Sequence, residues 1–183
     1  MNPKNAKIKY VWGPFAAITL IVILLDVMTK IWAAKALPGH TLTLIDGVLE
    51  LKYLENTGAA WGMFAGARSF FLAATVVVFL LILLYLGKMP AARRHLPMTI
   101  CLSLMFSGAL GNFYDRFVLH YVRDFIYFAL IDFPIFNVAD IAISCSAVML
   151  VILVLFVYKD EDFAFLSRKK AGKASSAGDM THE

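Results

Sequence analysis

Acidic side chains are scarce in the apolar stretches of this chain, and most of those that could do chemistry gather in one region. Asp115, Asp124, Asp132 and Asp140 fall close together in sequence, in the company of Asn112, Arg116 and Asn137. Two carboxyl groups brought near one another cannot both ionise easily. They share a proton, one pKa rises, and the pair can serve as base and acid together. The ionised member takes a proton from a water that attacks an amide carbonyl. The protonated member polarises that carbonyl and supports proton delivery to the leaving amine. Spacing alone does not choose the pair among the four, and pairing with Arg116 is a competing structural role, most obviously for Asp115. Gly108, Asn112 and Arg116 recur at i, i+4, i+8 on one helix face, and Asn137 and Asp140 at i, i+3 on another. Other hydrolytic chemistries fit worse. There is no His-Glu-x-x-His zinc motif and no Asp-Thr/Ser-Gly. Ser107-Gly108 lacks the glycine of a Gly-x-Ser nucleophile turn.

The elements that must position these residues are membrane spans. Of 183 residues, 61% are apolar and 16% charged, against roughly 45–50% and about 25% in soluble domains. That balance excludes an ordinary cytosolic enzyme, a nucleic-acid binder and a disordered chain. The net charge of +4 is then a matter of loops facing the cytoplasm. Cys101 and Cys145 sit inside apolar runs, spaced for neither a metal site nor a disulfide framework. A hydrocarbon core about 30 Å thick takes roughly 20 helical residues to cross. Four stretches qualify, at about 14–33, 69–87, 97–117 and 134–158. The first, with its basic start and Ala34-Lys35-Ala36, also has the outline of a cleavable signal peptide. Asp26 and Lys30 inside it, and three later spans, favour a retained helix. Eleven basic residues fall in the N-terminus, the second connection and the tail, against five in the first and third connections. Both termini are therefore expected to be cytoplasmic. The polar tail, 159–183, is expected to be disordered.

The first outer connection holds two β-like runs, within about 40–55, around the turn signal Asp46-Gly47. A small sheet resting on the outer membrane surface is expected, with Leu49, Leu51 and Tyr53 on one face. The stretch Asn56-Thr57-Gly58 onward suits a short interfacial segment. With this topology the polar residues all lie near the outer boundary, at the ends of spans three and four or in the link between them. Ionisable groups at such depth mark function by default.

Five blocks carry a resemblance. Asp26-x-x-x-Lys30, Asn56-Thr57-Gly58-Ala59-Ala60-Trp61-Gly62, Gly108-Ala109-Leu110-Gly111-Asn112-Phe113-Tyr114-Asp115-Arg116, Val122-Arg123-Asp124-Phe125 and Phe136-Asn137-Val138-Ala139-Asp140 together resemble the bacterial lipoprotein signal peptidase (signal peptidase II) family. The resemblance implies a mainly α membrane protein, with four transmembrane helices, a small periplasmic β-sheet and a single peptidase domain over 1–158. It implies an aspartic endopeptidase of the bacterial inner membrane that acts on diacylglyceryl-modified prolipoproteins, cutting just before the lipidated Cys. By the family pattern the catalytic pair falls on Asp124 and Asp140. Asn56, Gly58, Asn112, Arg116 and Asn137 fall around the site and are expected to contact substrate. Asp26 and Lys30 match a block whose role looks structural, and Gly108 is as suited to close helix packing as to admitting substrate. No cofactor, metal or nucleic acid is implied. Globomycin-type inhibitors are expected to bind, and a monomer to suffice. A small transporter or channel is the competing reading, but its polar residues would run through the membrane instead of gathering at one end. A non-enzymatic assembly factor is another.

Overall fold

A computed structural model describes residues 2–58 and 68–167. Among the described residues, four helices are long and apolar enough to cross a membrane: α1 (Pro3–Ala36), α2 (Arg68–Lys88), α3 (Arg93–Val118) and α4 (Val138–Val157). The fold is mainly helical, with one small antiparallel sheet. Helix α3 is the hub, packed against α1, α4 and α2. In lipid there is no hydrophobic drive to bring helices together, so close packing relies on small and polar residues. Ser103, Ser107, Gly108, Gly111 and Asn112 supply these on α3 and are buried. By contrast, α2 carries a run of Val, Leu and Phe and turns Phe70, Val77, Leu81 and Leu84 outward.

Two glycines set how closely the helices approach. A Cβ on Gly108 would run into the Ala139 carbonyl oxygen and the Ile143 side chain on α4. One on Gly111 would run into the Asp26 carboxylate on α1. Of the two roles expected for Gly108, close helix packing is therefore the one seen.

The sheet has the order β1-β2-β3. Strands β1 (Thr41–Ile45) and β2 (Leu49–Asn56) form the expected hairpin, with Gly47 left-handed at φ +65 in its turn. Strand β3 (Val122–Phe128) pairs antiparallel with β2. The sequence pattern predicts no strand here and puts these residues in a connection. His120, at φ 74, turns the chain sharply after α3, so the strand starts two residues later. The β2–β3 register shifts between Leu51 and Leu54, just before the Leu54–Asp124 pair. Such irregularities re-aim side chains. Beyond β3 the chain returns, and Phe136 bonds back to Phe125 and Ile126 through three backbone hydrogen bonds of 2.8–3.0 Å. The sheet is thus tied to the start of α4.

The segment expected to follow Asn56 as an interfacial stretch lies largely outside the described residues. One expectation is corrected. The tail is not uniformly disordered from 159: Asp160–Phe163 forms a turn and α5 (Ala164–Ser167) follows it. Asp162 accepts two bonds from the Arg94 guanidinium, at 3.0 and 2.8 Å, which holds its carboxyl well below the usual range. Phe163 and Phe165 pack on the core around Tyr158 and Leu86. Composition concealed this because the aromatic residues and the acid precede the Lys/Ser/Ala/Gly-rich stretch.

Replacing Gly111 by Val should force α1 and α3 apart at a buried ion pair and destabilise the fold by about 1–3 kcal/mol or more. Thermal unfolding in detergent checks this, and an unchanged Tm would contradict the packing role.

Candidate active site

The four aspartates separate clearly in space. Asp132 sits at an exposed turn with φ 46 and accepts a bond from the Tyr127 hydroxyl at 2.6 Å. Asp115 is 1% exposed and carries no free edge: it accepts from the Arg123 side chain at 2.6 and 3.2 Å and from the Arg123 backbone N–H at 3.1 Å. Lys30 Nζ lies 3.4 Å from it. Asp115 thus has the structural role that competes with chemistry, but its partner is Arg123, which spacing did not single out, and not Arg116. That leaves Asp124, on β3, and Asp140, in the first turn of α4. Both line one cavity of about 600 Å³, together with Asn56, Asn112 and Arg116.

Asn137 joins the two. It caps α4, its side-chain oxygen accepting from the Asp140 N–H at 3.0 Å while the Asp140 carboxylate accepts from the Asn137 backbone N–H at 3.1 Å. This reciprocal cap satisfies helix-end donors and places a carboxylate where the helix dipole favours it. The Asn137 amide nitrogen then donates to Asp124 at 2.6 Å. One residue thus touches both carboxyl groups.

The three asparagines are oriented by the same logic. Each has its amide oxygen held by a donor that cannot accept. Asn137 oxygen receives the Asp140 N–H, and Asn56 oxygen receives the Gly58 N–H at 2.9 Å. Asn112 oxygen receives Lys30 Nζ at 3.0 Å. Each NH2 group must then face a carboxylate: Asn56 and Asn137 donate to Asp124 at 2.8 and 2.6 Å, and Asn112 donates to Asp140 at 2.7 Å. Arg116 completes the set. Its guanidinium donates to the Gly58 carbonyl at 3.0 Å, lies 4.8 Å from the Phe71 ring centre and interacts electrostatically with both aspartates. Gly58 therefore enters through its backbone.

Burial, and then the charge of Asp140, pushes the Asp124 carboxyl up to about 7, against the pull of the Asn56 and Asn137 amides. Beneath the site Asp26, Lys30, Asp115 and Arg123 balance one another's charge. In the cavity Arg116 balances one ionised carboxylate, so the site is electrically neutral when the aspartates hold a single proton between them. Among the described residues no group of three or more His, Cys, Asp or Glu converges.

Comparison with known proteins gives the family. Residues 18–156 match the family model described as signal peptidase (SPase) II. The chain belongs to the signal peptidase II family. It is 40% identical over 150 residues to a lipoprotein signal peptidase from Clostridium tetani, covering 80% of this chain and 93% of that one. It is 40% identical over 143 residues to another from Staphylococcus carnosus, covering 76% and 88%. A solved bacterial membrane enzyme superposes with a TM-score of 0.72 at 29% identity, covering 90% of this chain and 97% of that one. In this signal peptidase II chain Asn56, Asn112, Arg116, Asp124 and Asp140 line the cavity, Asn137 and Gly58 bond to members of that set, and Gly108 packs against α4. Asp26 and Lys30 are behind the cavity, Asp26 accepting the Ala139 N–H at 3.0 Å.

The raised carboxyl of Asp124 has a consequence for stability. Its folded-state pKa lies above the ordinary 3.8, so the stability it contributes is present below about pH 4 and is lost as pH rises through 7. Asp124→Asn removes that loss. Its Tm relative to the parent should therefore be higher at pH 8 than at pH 5; a difference independent of pH would contradict the assignment.

Proposed function

We propose that the protein is an aspartic endopeptidase that removes the signal peptide from diacylglyceryl-modified prolipoproteins, cutting just before the lipidated Cys. The observation that carries this reading is the pair of carboxylates on one cavity, bridged by Asn137. Asp124 and Asp140 are the catalytic pair, and Asp124, raised to about 7, holds the shared proton at rest. Asp140 takes a proton from water as its oxygen attacks the scissile carbonyl. Asp124 donates a hydrogen bond to the carbonyl oxygen, where charge develops. Collapse of the tetrahedral intermediate breaks the C–N bond, and the proton held by Asp140 passes to the departing α-amine of the Cys. Arg116, with Asn56, Gly58, Asn112 and Asn137, positions the substrate and the carboxylates.

The depth of the site suits such a substrate. The cavity continues from the carboxylates along α4 past Ile141, Ser144 and Cys145, so a peptide held at the membrane boundary reaches the aspartates while its acyl chains stay in lipid. The same reading places the chain in the bacterial inner membrane with both termini cytoplasmic and the site toward the periplasm. It acts as a monomer and is open to globomycin-type inhibitors at the same cavity.

Purified protein should cleave a diacylglyceryl prolipoprotein in detergent. Asp124→Asn and Asp140→Asn should each lower kcat by about a thousand-fold or more while still unfolding in one cooperative thermal transition. Near-normal cleavage by either folded variant overturns the pair.

A further inference from the structure

The proposed reaction leaves Asp26 and Lys30 without a part, yet both are fully buried in α1 and reach the underside of the site. Lys30 Nζ lies 2.9 Å from Asp26, 3.4 Å from Asp115 and 3.0 Å from the Asn112 amide oxygen. An ammonium donates and never accepts, so only an oxygen can stably face it. The Asn112 oxygen is thereby held down, and its NH2 is left aimed at Asp140, 2.7 Å away. Reversal of that amide would set its N–H groups against Lys30 and against the Asn137 NH2, which now lies 3.1 Å from the oxygen. It would also turn a carbonyl oxygen on the Asp140 carboxylate. Lys30 does not line the cavity; its hydrogen bond toward the site runs through Asn112, while its charge draws the Asp124 carboxyl down from a distance.

We propose that Lys30 is a positioning residue for proton transfer: by holding the Asn112 carbonyl it keeps the Asn112 NH2 donating to Asp140, which aligns that carboxylate as the base. The inference rests on the aspartic peptidase reading. The charged groups that face Asp140 are Asp124 from β3 and Arg116 from α3. Asp26 and Lys30 from α1, and Asp115 from α3, stand behind Asn112. Loss of Lys30 therefore acts on a site whose other charges stay in place.

The test is the double variant Asp26→Asn/Lys30→Met, which removes one buried charge of each sign and keeps the Asp115–Arg123 pair. Its kcat should fall about 10-fold or more with KM nearly unchanged, and the acidic limb of its pH–rate profile should move up by about one pH unit. A packing role alone would leave the profile in place. A folded double variant with the parent's kcat and profile overturns the inference. Should the variant not fold, the parent decides. Its Asn112 side-chain 15N–H signal should shift with the titration of the aspartate pair, and a signal indifferent to that titration overturns the inference equally. Active Asp124→Asn or Asp140→Asn would defeat the peptidase reading itself. If those variants are inactive while the double variant behaves as the parent, only the role of Lys30 falls.

Discussion

Two carboxylates cannot be withdrawn from water beside one another unless neighbouring dipoles are turned toward them and prevented from turning away. Everything else in this protein serves that constraint. Three asparagine amides from three elements supply the dipoles, and each is fixed at its oxygen by a group that can only donate. The arrangement is directional. Hydrogen bonds run from the buried ammonium and from the backbone toward the acids, and no amide can reverse without creating a donor–donor or acceptor–acceptor clash. A network satisfied in this way is strong in a low-dielectric setting, and one left half-satisfied would be worse than none.

The architecture follows from delivering those amides to one point. Asn112 arrives on α3, which approaches α1 and α4 closely because Gly108 and Gly111 leave room. Asn137 arrives at the first turn of α4, and Asn56 at the end of β2. The sheet carries Asp124, and its backbone bonds to Phe136 lock the strand to the helix that bears Asp140. The buried charges of Asp26, Lys30, Asp115 and Arg123 cancel locally, which leaves Arg116 as the cation that lines the cavity with the acids. Helix α2, apolar and largely outward-facing, adds little to the polar network, though Arg68 at its start holds the last carbonyls of α3.

Much of this was legible in the residues. Four apolar runs specify four spans because nothing else buries such stretches, and Asp46-Gly47 marks its hairpin because Gly47 takes the left-handed conformation of the turn at little cost. The clustering of Asn112, Arg116, Asn137 and Asp140 at one depth was also visible, since helical spacing places them there. Spacing did not separate Asp124 from Asp115; only the family resemblance pointed to Asp124. Asp115 sits in the more suggestive setting, beside an arginine at a span end, and it is disqualified only by Arg123, whose approach depends on the left-handed turn at His120. Strand β3 was missed because Val122-Arg123-Asp124-Phe125 does not alternate: both faces of the strand are buried there, one by the helices and one by the site. Nor does spacing reveal that Lys30 answers to Asn112, a contact between distant segments made by packing alone.

The central claim is that the two acids behave as one titrating unit. Labelling the aspartate carboxyl carbons with 13C and following Asp124 and Asp140 by NMR across the pH range tests it most directly. The account predicts that each signal registers both protonation steps, as coupled groups must. Two signals that titrate independently, each in a single step near an ordinary carboxylate value, would contradict it.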